Sequence, residues 1–170
     1  MEKEKRTLKF SEIFGFGAGG MFTYGFQLMI TGYYLLYYMT DIAGFSTVLA
    51  ASLYSTIQII KMVTMLFSGV IIDAINFRSG KYRTWVLVSG IGLGLFFPLS
   101  FFYYPLPQSV YVVVFMIIYS LQTLFYNVGW TAMRAVIGKV AKNKADVVAL
   151  NTSAQSAGTI SSILYGYIGY

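Results

Sequence analysis

The sequence predicts an all-α polytopic membrane protein, a bundle of five transmembrane helices. Three observations carry this. Of the 170 residues, 57% are hydrophobic and only 11% charged, with 15 Tyr and 14 Phe, a composition outside the range of soluble domains. Five apolar stretches each reach the roughly 20 residues that a helix needs to cross a bilayer. Finally, every basic residue of the 12 except Lys61 falls in segments that the alternation of spans places on one side, as the positive-inside rule requires. The absence of Cys and His removes disulfides, thiol nucleophiles, thiolate or imidazole metal sites and the usual proton shuttle at neutral pH. No cofactor or metal is expected, and without a nucleophile and base pair no enzyme. The net charge of +6 is accounted for by orientation, so no nucleic-acid partner is expected either.

The first span is expected from Ile13 to Thr40. It follows the basic start MEKEKRTLK, and its apolar run exceeds the roughly 7 to 15 residues of a signal core, with no small-residue cleavage site at its end. The turn Asp41-Ile42-Ala43-Gly44 leads into the second span, Ser46 to Ile72. The third, Thr84 to Tyr104, stops where Pro105-Leu106-Pro107 breaks helix on both sides. The fourth runs from Gln108 to Met133. The polar linker Asn143-Lys144-Ala145-Asp146, with Asp146 suited to a helix N-cap, precedes the fifth, Val147 to Tyr170. No soluble domain fits between the spans, so residues 1–170 read as one transmembrane domain. Lys3, Lys5, Arg6 and Lys9, then Arg78, Lys81 and Arg83, then Arg134, Lys139, Lys142 and Lys144 put the N-terminus in the cytoplasm of a multi-pass protein of the cell membrane.

Four of the helices carry polar stripes at steps of three or four residues. Helix one has Thr23, Gln27, Thr31, Tyr34 and Tyr38. Helix two has Tyr54, Gln58, Lys61, Met65 and Ser68. Helix four has Tyr119, Gln122, Tyr126, Trp130 and Arg134, and helix five has Asn151, Gln155, Thr159 and Ser162. Helix three has no stripe and carries a Gly90-xxx-Gly94 packing pair instead. The stripes suggest a polar cavity lined by helices one, two, four and five, although any single stripe would also suit hydrogen bonding between helices. Lys61 is the only charged side chain from Ile42 to Ile72. About 15 residues from Ser46, at a rise of roughly 1.5 Å each, leave it near the midplane, where an ammonium costs roughly 2.5 to 3.5 kcal/mol. Glu12 and Asp73 lie at the cytoplasmic end and Asp41 at the outer one, so its counter-charge must come from elsewhere, unless its stem snorkels to an interface.

Two motifs read against their usual meaning. GFGAGG, Gly15 to Gly20, satisfies the dinucleotide pattern G-x-G-x-x-G but opens a spanning helix without a preceding strand; close helix contact through small residues, including Gly15-xxx-Gly19, is the reading adopted. The sequon Asn151 to Ser153 lies at the cytoplasmic end of helix five, beyond the glycosylation machinery, and reads as a polar group on the cavity side.

The spacing Gly69-xxx-Asp73 followed by Arg78-x-Gly80-Lys81-x-Arg83 resembles the loop signature of the major facilitator superfamily, a tight turn in which Asp73 can pair with Arg or Lys. Within that superfamily KFSEIFGFGAGG (Lys9 to Gly20), YYLLYYMTDIAG (Tyr33 to Gly44), GKYRTW (Gly80 to Trp85) and YNVGW (Tyr126 to Trp130) together resemble the glycoside-pentoside-hexuronide:cation symporters. The resemblance implies a twelve-helix fold of two six-helix halves that takes up sugars or glycosides with sodium or a proton. Five spans ending at Tyr170 would then be the N-terminal portion of a longer transporter, with a missing C-terminal half of the same polypeptide as its partner alongside the lipid bilayer and the solute. Alignment to the family pattern puts Lys61 and Met65 at the two helix-two aspartates that hold the cation, Asn127 at a helix-four acidic or amide position, Gly25 at a helix-one position that contacts sugar, and Ala154 or Gln155 at a helix-five arginine. The loss of both carboxylates puts sodium coupling in question. The expected cavity residues are Gln27, Tyr34, Tyr54, Gln58, Lys61, Tyr126, Asn127, Trp130, Asn151 and Gln155, with Lys61 and Met65 in place of the ion site and Gly69, Asp73, Arg78, Gly80, Lys81 and Arg83 as the conformational loop. The alternatives are a carrier of an anionic or lipid-like solute and a non-transporting five-helix scaffold.

Overall fold

The computed structural model describes residues 8–20, 27, 30–77 and 80–168, and their regular structure is entirely helical. The elements are α1 (Phe10–Gly20), a helical stretch made of Ile30–Tyr34, Leu35–Tyr37 and Tyr38–Ile42, then α2 (Thr47–Ala74), α3 (Lys81–Ser100), α4 (Gln108–Val140) and α5 (Lys144–Ile168). The protein is a helical membrane protein, and α2, α3 and α4 are each long and apolar enough to cross a bilayer. The chain divides into two compact units, Leu35–Met133 and the pair of segments Met1–Tyr34 with Arg134–Tyr170.

Local chemistry sets the helix ends. Ser46 caps α2, its hydroxyl accepting from the Leu49 N–H at 3.4 Å, and Ile75 turns extended after Ala74. Gly80 reverses the chain at φ +102°, a conformation that favours glycine, which lets α3 start at Lys81, ahead of Thr84. α3 ends at Ser100, before Tyr104, with Pro98 in its last turn. α4 runs past Met133 to Val140, because Arg134 and Lys139 are good helix formers. At α5 the cap is Asn143, not Asp146: the Asp146 N–H donates to Asn143 Oδ1 at 2.8 Å. Asp146 sits buried in the first turn and accepts from the Leu8 and Lys142 N–H groups, both at 3.3 Å. The amide cap thus satisfies a first-turn donor, while the acidic third residue ties in the residue before the cap and the start of the chain's first described segment.

The end of the first span departs from a regular α-helix. The Ala43 N–H reaches back five residues to the Tyr38 carbonyl at 2.8 Å, a π-type turn that shifts the phase of a 3.6-residue stripe. Tyr38, expected on the polar stripe, is buried in the core, its hydroxyl 2.6 Å from that of Tyr111 and 2.9 Å from the Phe102 carbonyl. That core also holds Leu35, Met39, Phe45, Leu53, Ile57 and Phe115. A second cluster in the same unit gathers Ile72, Trp85, Val128 and Ala132. In the other unit Ile13, Ile137 and Leu150 form the core.

Glycines mediate close helix packing at positions other than those expected. A Cβ on Gly129 would lie 2.7 Å from Ser89 Cβ, and one on Gly92 would run into the Phe125 ring, whereas Gly90 and Gly94 would meet nothing within 4 Å. The buried face of α3 is Trp85, Ser89, Gly92 and Ser100, so Gly90 and Gly94 lie on its exposed side. In the unit made of two segments it is Gly17 that packs on Ser153 of α5, while Gly15 meets nothing within 4 Å.

Candidate functional site

Lys61 lies at the middle of the 28-residue α2 and is half-buried. Among the described residues its ammonium has no hydrogen-bond or ion-pair partner. Its backbone is held by α4: Asn127 Nδ2 donates to the Lys61 carbonyl at 2.9 Å and to Thr64 Oγ1 at 2.6 Å. One turn further on, the hydroxyls of Ser68 and Thr131 meet at 2.7 Å. Two polar rungs therefore join α2 to α4 beside the lysine. Thr64 and Thr131 are not among the expected site residues, although the repeat of polar residues four apart on both helices, Thr64 with Ser68 and Asn127 with Thr131, is a signal for such a ladder.

Asn127 is 2% exposed, with both amide hydrogens spent on α2, so its side chain links helices and does not open to a solute. Tyr54 and Gln58 are half-buried, seven and three residues before Lys61 on one flank of α2, and Met65 is exposed. On α4, Tyr126 is buried and Trp130 half-buried. In the other unit, Gln27 is buried and Tyr34 half-buried. Asn151 turns back on its own helix, donating to the Val147 carbonyl at 2.9 Å, and Gln155 is exposed. The polar side chain of the sequon that reaches another helix is Ser153, whose hydroxyl donates to the Ile13 carbonyl at 2.8 Å.

Across the loop between α2 and α3, Lys81 pairs with Asp73 at 2.5 Å. The Asp73 side chain is 73% exposed, and such an ion pair contributes at most about 1 kcal/mol, so the link is easily released. Gly69 has open space about it and Arg83 is exposed; Arg78 lies outside the described residues. Among the described residues no group of His, Cys, Asp or Glu comes together as a metal site.

Residues 15–169 match the family described as MFS/sugar transport protein. The chain belongs to this family. Its curated relatives agree with the resemblance to the glycoside-pentoside-hexuronide:cation symporters of the major facilitator superfamily. The chain is 29% identical over 126 residues to YagG of Escherichia coli (strain K12), whose name assigns it to the glycoside/cation symporters, covering 72% of this chain and 27% of YagG. It is 23% identical over 164 residues to the isoprimeverose transporter of Lactiplantibacillus pentosus, covering 96% of this chain and 34% of that protein. With the glucuronide carrier protein homolog of E. coli (strain K12) it shares 28% identity over 94 residues, covering 55% and 20%. The chain thus spans about a third or less of the length of these relatives. No solved structure matches it.

Proposed function

We propose that this chain provides the first helices of a carrier that moves a sugar or glycoside across the cell membrane by alternating access, with its N-terminus in the cytoplasm, and that Lys61 supplies a fixed positive charge where a coupling cation would otherwise sit. The observation that carries this is an ammonium at the centre of α2 with no acid to pair with among the described residues. A charge in low dielectric is costly unless a counter-charge or hydrogen bonds compensate it. In this carrier the counter-charge comes from the solute or from an acid in a second half of the transporter, against which these helices rock. Tyr54 and Gln58, on the flank of α2 that bears Lys61, offer a hydroxyl and an amide to sugar hydroxyls. The Asp73–Lys81 pair is the releasable link that lets the loop move. Because the ammonium is unpaired, a second reading follows from the same residue: an anionic solute such as a glucuronide is preferred over a neutral glycoside.

The test is uptake of labelled glycosides and glucuronides into vesicles carrying the full-length polypeptide. Uptake is expected to be indifferent to replacing sodium with choline and to be abolished by Lys61→Met. Sodium-dependent uptake that survives Lys61→Met at the wild-type rate overturns the proposal. The orientation is tested separately: single cysteines at Gly44 and Gln108 should react with an impermeant thiol reagent from outside, and those at Ser79 and Asn143 should not.

A further inference from the structure

We propose that Asn127 is the positioning residue for Lys61, a role that rests on the reading of Lys61 given above. The two bonds that it makes are of a kind only an asparagine can supply here. Thr64 Oγ1 lies 2.8 Å from the Ile60 carbonyl and 3.1 Å from that of Lys61, so its single proton is committed to a carbonyl and its lone pairs are left to accept. The Lys61 carbonyl also only accepts. Asn127 therefore faces two acceptors, and its NH₂ group has two donors. An aspartate of the same shape would present lone pairs to lone pairs, a leucine would leave the site apolar, and a glutamine is one methylene too long for a contact that is 2% exposed.

The consequence for Lys61 is rotational. The clamp grips α2 at residue 61 itself and at residue 64, one turn apart, and the Ser68–Thr131 rung lies a further turn along. A slip of α2 by one residue turns it by about 100°, and in the sense that brings Ile60 onto the flank it would carry Lys61 into the place of Met62. Met62, Ile59 and Leu66 are 60%, 60% and 71% exposed and form the apolar side of α2, so the slip would move the ammonium toward the face with the fewest polar groups. Asn127 prevents this by holding backbone, which no rotamer change of the lysine can evade.

The experiment measures acylation of Lys61 by sulfo-NHS-acetate in the full-length polypeptide in lipid nanodiscs, read by peptide mass spectrometry as the ratio of Lys61 to Lys81 modification. Asn127→Ala and Asn127→Asp should change this ratio by about threefold or more, the equilibrium weight of an average hydrogen bond between membrane helices, with Asn127→Asp the larger effect. Thr64→Val, which removes one acceptor and keeps the shape, should change it in the same direction by a smaller factor, and Ser68→Ala should leave it unchanged. An unchanged ratio in both Asn127 variants overturns the proposal. If they do not fold, as judged by gel filtration, Thr64→Val decides on the same criterion. Uptake by the same samples separates this proposal from the one beneath it. Wild-type uptake by Lys61→Met, with the ratio still shifted in Asn127→Asp, ends the transport role of Lys61 and keeps the positioning. Uptake lost in Asn127→Asp with the ratio unchanged means that Asn127 touches the solute itself, and the positioning role fails.

Discussion

α4 meets α3 by removing side chains and meets α2 by exchanging hydrogen bonds. On the α3 side, Gly129 lies under Ser89 and Gly92 under the Phe125 ring, and the Phe96 and Phe125 rings stack at 5.6 Å. On the α2 side, Asn127 holds the Lys61 carbonyl and Thr64, and Ser68 meets Thr131. A contact made by shape has one well-fitted arrangement and resists sliding, because packed surfaces tolerate little change in volume. A contact made by short hydroxyls and an amide can open and close at modest cost, since each bond between membrane helices contributes on average about 0.6 kcal/mol. The first kind fixes two helices by volume, and the second fixes the register of α2 against α4 by matching donors to acceptors.

The contrast is broken most severely at Gly129. Gly129→Val should destabilise the protein by about 2 to 3 kcal/mol through overpacking, because the group it strikes is the Cβ of Ser89, which no rotamer change can move. Thermal unfolding in detergent would show this as the largest fall in midpoint of the series. Asn127→Ala comes next, with a loss of about 1 to 1.7 kcal/mol, and Ser68→Ala follows at about 0.6 kcal/mol, since Ser68 makes one bond to α4. The smallest effect is the sharpest test of the face assignment: Gly90→Ala and Gly94→Ala should change stability by less than about 0.5 kcal/mol or stabilise slightly, as exposed helical glycines do when replaced by alanine. A loss at Gly90 equal to that at Gly129 would mean that α3 packs through its other side.

The helical membrane architecture was legible because apolar length and punctuation are local properties. Pro105 and Pro107 mark a break wherever they stand, and a lysine amid thirty uncharged residues announces itself. Which side of a helix faces a neighbour is not local. Gly90 and Gly94 satisfy the small-xxx-small spacing as well as any pair, but Trp85, Ser89 and Gly92 are the residues that find a partner, and that depends on where Phe125 and Gly129 lie on another helix. Asn127 was singled out as a group facing a cavity, and its amide hydrogens go to the Lys61 carbonyl and Thr64 Oγ1, since an amide suited to a sugar is equally suited to a backbone carbonyl. Tyr38 was counted on a polar stripe for its hydroxyl, yet its ring packs with Phe101 and Phe115 and the hydroxyl meets Tyr111, a placement that a count of polar residues cannot foresee. The step from Asp146 to Asn143 as the cap is of another kind: both residues favour helix starts, and three residues separate a cap from the position that completes it.

The hydrogen bond from the Leu8 N–H to Asp146 spans 138 residues of sequence, and the order of synthesis gives it a meaning in time. The unit 35–133 is continuous and is complete once its last residue has left the ribosome, whereas the other unit needs both 1–34 and 134–170. At about 5 to 20 residues per second, α1 waits on the order of ten seconds in the membrane before α5 is made. For that interval the groove at Gly17 lacks Ser153 and the Leu8 amide lacks its carboxylate. The nascent chain therefore passes through a stage in which α1 stands without these contacts, and they form only when α5 arrives.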